Sequence, residues 1–297
     1  MKTAFCTIST HSHLFKSLTL LESVRGVSKA DLFCLITDSN KLERQENFKC
    51  HYLEDLEFWA SVEQQKKYND DSLRWSLKPV YLKFLLEEGY HSVIYCDNDI
   101  YFYDSPQFLF EKLKEKSFLL TPHFYPTNPQ KDQNWLEANF RVGLYNAGFI
   151  GVSKRGVEIL DWWTKCCLYN VKKAYWRGLY DDQKYLDLVP VIFDGVEVVK
   201  HRGCNFAGWN YDEVLIGKKD NQLFINNDQL VFIHFAQLSM ERFSNTESQV
   251  YPYYQKYLKA LVKHNPNFEF KGKKRTLSAI STYFYYLRWN LVRLFEK

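Results

Sequence analysis

A strand, a helix and a second strand within the first 37 residues constrain this chain more than any other feature. Residues 3–8 form an apolar run of strand length, a polar turn follows through Ser9, Thr10, His11 and Ser12, residues 14–24 read as helix, and residues 31–37 form a second apolar run. Two strands joined through a helix by short loops open a doubly wound sheet, since the crossover returns the chain parallel to its start. Such sheets take their ligands at the carboxyl ends of the strands. The opening holds neither G-x-G-x-x-G nor a Walker sequence, so dinucleotide and P-loop readings lose support.

The rest of the chain continues the alternation. Residues 53–70 are polar and read as loop or helix; residues 75–88 form an amphipathic helix with Val80, Phe84 and Leu85 on one side, ended by Gly89. A helix through Leu109 and Leu113 and a strand over 117–121 follow Pro106. Residues 122–139, with Pro126 and Pro129, read as a long loop suited to a lid or an acceptor-binding element. Beyond an apolar segment at 145–152 and a helix at 157–168, strands are expected at 189–193, 197–200 and 230–235.

With 297 residues and 46% hydrophobic content, the chain can bury the core of one large α/β domain. The net charge of +4 and the lack of a basic stripe through the body exclude nucleic acid as a partner. Seven cysteines, an odd number without C-x-x-C spacing, fit a reducing compartment. The chain begins directly on a strand, and no apolar run approaches the ~20 residues that span a bilayer. A cytoplasmic protein is expected, peripheral to a membrane at most.

Chemistry concentrates in Tyr95-Cys96-Asp97-Asn98-Asp99-Ile100. Residues i and i+2 of a strand face one side, so Asp97 and Asp99 can converge as the chain leaves the sheet, and two such carboxylates suit Mg²⁺ or Mn²⁺. An Asp-Asn-Asp cluster also reads as a turn that hydrogen-bonds its own backbone. Arg74 and Lys78, one helical turn apart, can hold a phosphate or a neighbouring carboxylate.

The carboxyl terminus differs in kind. Residues 271–297 carry seven Lys or Arg against the single Glu296, and Leu277, Ile280, Phe284, Leu287, Leu291 and Leu294 recur at alternating spacings of three and four. One apolar helical stripe beside basic residues reads either as an interfacial helix on anionic lipid or as a helix packed on protein. Residues 1–270 are taken as the main domain and 271–297 as this basic amphipathic helix.

Several separated motifs together resemble the GT-A glycosyltransferases, especially the glycogenin-like and lipopolysaccharide galactosyltransferase-like retaining group, over roughly residues 3–235. Arg74-Trp75-Ser76-Leu77-Lys78-Pro79 resembles the basic helix before that family's D-x-D, which is matched by Asp97-Asn98-Asp99. Asn146-Ala147-Gly148 is similar to its N-A-G strand, Asp182-Gln183 to its D-Q pair, and Ile233-His234-Phe235 to the strand of its late metal-binding histidine. The resemblance implies a Rossmann-like mixed sheet flanked by helices. It also implies Mn²⁺ or Mg²⁺ on Asp97, Asp99 and His234, and a nucleotide-diphosphate sugar, with UDP expected. Donor contacts would come from Thr7, Ser9, Asp38, Arg74, Lys78, Asp97 and Asn98, and acceptor contacts from Asn146, Ala147 and Gly148. Asp182 and Gln183 would lie at the anomeric centre, with Asp181 an alternative general base in an inverting enzyme.

The match has gaps. The family's histidine is commonly followed by glycine and a Lys-Pro-Trp run, whereas Ala236-Gln237-Leu238-Ser239 stands here, leaving Arg242 or the loop from His201 to Asn210 to contact the diphosphate. A glycan or lipid-linked acceptor in surface polysaccharide synthesis is expected from family habit and the basic tail. A nucleotidyltransferase of related fold is one rival, although residues 9–15 lack a glycine-rich triphosphate loop. A non-enzymatic sugar- or membrane-binding protein is the other.

Overall fold

The computed structural model describes residues 1–38, 48–67 and 70–272. The tail helix read over 271–297 thus lies, apart from its first two residues, outside the described residues. The strands are β1 Thr3–Ser9, β2 Asp31–Ile36, β3 Lys49–Tyr52, β4 Ser92–Cys96, β5 Ile100–Phe102, β6 Phe118–Pro122, β7 Tyr145–Ser153, β8 Val196–Val198, β9 Ile216–Lys219, β10 Gln222–Ile225, β11 Asp228–Gln229 and β12 Phe232–His234.

Seven of them form one mixed sheet in the order β3-β2-β1-β4-β7-β6-β8. β3, β2, β1 and β4 are mutually parallel, and β7 runs antiparallel to β4 and β6 on either side of it. The two-residue period of β1 sorts its side chains between two cores. Ala4, Cys6 and Ile8 pack with Leu77, Tyr81 and Leu85 of the helix Asp70–Glu87 and Leu160 and Trp163 of the helix Val157–Tyr169. Phe5 packs on the other face with Leu20 and Val24 of the helix Leu14–Arg25 and Phe110 of the helix Gln107–Leu113. Burial on both faces accounts for the continuous apolar runs.

The apolar run at 92–102 is not one strand. It breaks at Asp97-Asn98-Asp99, and β5 leaves the main sheet to pair antiparallel with β12, which sets His234 opposite Ile100. A third core, including Tyr101, Phe206, Ile233, Phe235, Phe243 and Tyr257, supports this ribbon and the β11-β10-β9 sheet. The helix Tyr251–His264 supplies Tyr257.

Two expectations are corrected. In place of the strand expected at 189–193, Val189–Ile192 is a short helix with Pro190 in its first turn, where the ring's fixed φ favours a helix and the missing N–H costs nothing. The expected loop at 122–139 contains most of the helix Gln133–Arg141, capped by Asp132, whose side chain accepts from Asn134 N at 2.9 Å and Trp135 N at 3.2 Å. Among the described residues no helix is long and apolar enough to cross a membrane.

Candidate metal and donor site

The carboxyl ends of β1, β2 and β4 form the site's floor. Thr37 N donates to Ser9 O at 2.9 Å, joining the β1 and β2 ends, and Asp38 accepts from His11 N at 2.9 Å, closing the loop after β1. Thr7 is fully enclosed within the sheet and its Oγ1 has no partner, so of the residues expected to hold the nucleotide, Ser9 and Asp38 lie at the strand ends and Thr7 does not.

The break after β4 gathers the charged groups. Asp97 N donates to Gly148 O at 2.7 Å and Ile100 N to Asp97 O at 3.1 Å, a turn anchored on β7. Phe235 N donates to Asp99 O at 2.7 Å, fixing the end of β12 beside that turn. Asp97-Asn98-Asp99 is a turn, and the turn is compatible with the metal reading: convergence comes from the turn and the β5-β12 ribbon rather than from strand alternation. One ligand atom each of Asp97, Asp99 and His234 lies within 4.8 Å of the others. Asn98 occupies the turn between them, half-buried.

Gly148 makes this approach feasible. A Cβ there would lie 2.7 Å from Asp97 Oδ2 and 2.7 Å from His234 Cε1, so any side chain would push two of the three groups away. Asp97 Oδ1 accepts from the Tyr95 hydroxyl at 2.7 Å and faces Lys78 Nζ at 3.5 Å, which leaves Oδ2 on the Gly148 side. Two carboxylates and an imidazole at these separations fit a hard divalent ion such as Mg²⁺ or Mn²⁺.

Lys78 links this cluster to a second one. It is buried, with Nζ 3.2 Å from Asp182 Oδ2 and donating to Ala147 O at 3.2 Å. Burial works against its charge, but Asp182, Asp97 and Asp181 outweigh that and hold its pKa above the ordinary lysine value. Arg74, one turn earlier, pairs with Asp71 instead. Asp182 Oδ2 is buried and, despite the charge contact with Lys78, has no hydrogen-bond partner. Asp181 has φ 39°, its Oδ1 accepts from Gln183 N at 3.1 Å, and Gln183 Nε2 donates to Val142 O at 3.3 Å.

The carboxylates differ in charge state. Burial pushes Asp99 up, but the facing His234, whose Nε2 is 3.0 Å away, pulls it down to about 2. His234 is raised in turn: burial opposes its charge and Asp99 overcomes that. Asp181 rises to about 7, through burial first and the charge of Asp182 second. Burial also raises Asp182, against the pull of Lys78.

Asn146 is turned to His234 rather than to open space. Its Nδ2 is 3.0 Å from His234 Nδ1 and donates to Asn205 Oδ1 at 3.0 Å, and its Oδ1 accepts from Gly148 N at 2.7 Å. Asn146-Ala147-Gly148 thus forms the wall of the carboxylate-imidazole cluster, with Ala147 buried and its carbonyl on Lys78. Arg242 pairs with Asp212, whereas the loop from His201 to Asn210 delivers Asn205 and Trp209 to His234, the indole lying 5.1 Å from the imidazole at 77°. Tyr95 was legible in principle, being two residues before Asp97 on one strand face. His123, buried and held down to about 3 chiefly by burial, stacks on Tyr125 without any signal in the sequence.

No family model matches the chain. It is 28% identical over 250 residues to the uncharacterized protein YfnF of Bacillus subtilis (strain 168), covering 80% of this chain and 82% of that one. Among solved structures it is similar to the galactosyltransferase LgtC in complex with donor and acceptor sugar analogs, with TM-score 0.54 and 12% identity over 88% of this chain and 95% of that one. It is similar also to mouse xyloside xylosyltransferase 1 in its apo form, with TM-score 0.51 and 14% identity over 79% of this chain and 97% of that one. The fold is that of the GT-A glycosyltransferases.

Proposed function

We propose that this protein is a metal-dependent glycosyltransferase that moves a sugar, with retention, from a UDP-sugar to a glycan or lipid-linked acceptor in surface polysaccharide synthesis. The observation that carries the reading is the convergence of Asp97, Asp99 and His234 at the carboxyl end of β4, with Lys78 and Asp182 directly behind. A transferase fold alone does not require this set. The donor and acceptor analogs bound by LgtC support the same kind of substrates here.

A divalent ion on Asp97, Asp99 and His234 would neutralise charge developing on the diphosphate leaving group. Asp182, buried with Oδ2 3.2 Å from Lys78 Nζ, would accept a hydrogen bond from a sugar hydroxyl, while Lys78 keeps Asp97 and Asp182 apart in fixed positions. Ser9 and Asp38 serve the nucleoside. Asp181 and Gln183 line the sugar side, and a front-face route in which the leaving phosphate assists the acceptor needs no carboxylate nucleophile. If early ¹H NMR of donor hydrolysis shows an inverted anomer, retention fails and Asp181 becomes the general base.

Calorimetric titration of UDP with and without Mn²⁺ tests the core of the reading. Binding should require the metal and vanish in the Asp97→Ala/Asp99→Ala double variant, and slow hydrolysis of the matching UDP-sugar should vanish with it. Binding undiminished by chelator would sink the proposal. We place the protein in the cytoplasm, with residues 271–297 meeting an anionic membrane. Undiminished co-sedimentation of a 1–270 truncation with anionic liposomes would remove that role.

A further inference from the structure

Two buried amides face the same ring nitrogen of His234 with opposite hydrogen-bonding character. Asn146 Nδ2, a donor, is 3.0 Å from Nδ1, and Asn205 Oδ1, an acceptor, is 3.3 Å from it. Neither amide is free to flip. Asn146 Oδ1 is occupied by Gly148 N at 2.7 Å, and Asn205 Nδ2 by Pro122 O at 3.1 Å. The amides also bond each other, Asn146 Nδ2 to Asn205 Oδ1 at 3.0 Å, and both residues are buried.

A neutral imidazole carries one N–H and one lone pair. With the lone pair on Nδ1, Asn146 donates to it, and Nε2–H points at Asp99 Oδ1, 3.0 Å away. With the proton on Nδ1, Asn205 accepts it and Nε2 turns its lone pair toward the two aspartates, as a cation requires. The Asn146-Asn205 bond persists in both states; with the proton on Nδ1 it is Asn205 Oδ1 that accepts from the ring, while Asn146 gives up its bond to Nδ1. Asn205 is held for this at φ 58°, with its carbonyl accepting from Asn210 Nδ2 at 3.0 Å. Left-handed backbone is uncommon in any non-glycine residue, so its occupation here marks a constrained position.

We propose that Asn205, paired with Asn146, is the positioning residue that accepts the Nδ1–H of His234 and so presents Nε2 to a hard divalent cation. This rests on the metal reading above and adds to it the residue that selects the histidine tautomer.

Calorimetry of Mn²⁺ binding to the full chain tests it with two substitutions. Asn205→Gly keeps the left-handed backbone and removes the amide, and Mn²⁺ should bind about 10–100-fold more weakly. Asn205→Asp keeps an acceptor oxygen toward Nδ1 and should recover most of that loss. Histidine-labelled ¹⁵N NMR of the wild type, assigned by the resonances lost in His234→Ala, should place a proton on Nδ1 and none on Nε2 when Mg²⁺ is bound. An Asn205→Gly affinity within twofold of wild type, or a Mg²⁺-loaded His234 without a proton on Nδ1, would overturn the inference. Wild type that binds no Mn²⁺ would instead remove the metal reading, and this inference with it.

Discussion

Asp97 and Asp99 stand at a strand break beside an imidazole, whereas Asp181 and Asp182 lie behind them under protein, and Lys78 touches one member of each pair. Asp99 is held down to about 2 because an opposite charge 3.0 Å away outweighs burial; Asp181 is pushed up to about 7 because burial and a like charge act together. One side-chain type, in two settings a lysine apart, is held ionised in one and pushed toward its neutral form in the other. Neighbours, not residue identity, assign the work.

The sharpest way to break this contrast is to remove its hinge. Lys78→Met leaves Asp97 facing Asp182 with no cation between them, and losing one partner of a buried ion pair costs about 3–5 kcal/mol. Urea unfolding should show that loss, and a cost below about 1 kcal/mol would mean that the lysine does not balance the two sites. A smaller effect is expected from Gly148→Ala. The new methyl collides with Asp97 Oδ2, His234 Cε1 and Asn146 Oδ1, so it should cost about 1–3 kcal/mol and weaken Mn²⁺ binding. Gly217→Ala, with open space at its Cβ, is the matched control and should change neither quantity.

The sequence showed this contrast only in part. The βαβ opening and the D-x-D run were visible because buried strands read as apolar runs and charged residues stand out at their ends, whereas His234 was singled out through the family resemblance. The pairing that makes them a site was not: Ile100 and His234 meet through an antiparallel ribbon between segments 134 residues apart, and periodicity does not specify such partners. Arg74 and Lys78 look equivalent on one helix, but Lys78 pairs with Asp97 and Asp182 whereas Arg74 pairs with Asp71. Asn205 gave least away. Its role depends on a left-handed backbone and two amide partners, none written in its own neighbourhood. Val189–Ile192 misled because its apolar residues fit a strand as well as a short helix, with Pro190 the overlooked sign.

The gentlest test acts on the buried pair alone. Asp181 titrates at about 7 in the folded chain against an ordinary 3.8, so the folded state binds its proton more tightly than the unfolded one. The stability that the protonated group contributes is complete below about pH 4 and is lost as pH rises through 7. Asp181→Asn keeps an oxygen for Gln183 N and does not titrate, so it should match wild type in acid and exceed it at pH 8, by on the order of 1 kcal/mol for every tenfold by which folding tightens the proton's hold. Paired urea titrations from about pH 4 to 8 read the difference directly. A constant gap would mean that Asp181 is ionised throughout, with Lys173, 4.0 Å away, as sufficient counter-charge. The two aspartate pairs would then be alike in charge, and the contrast between them would be lost.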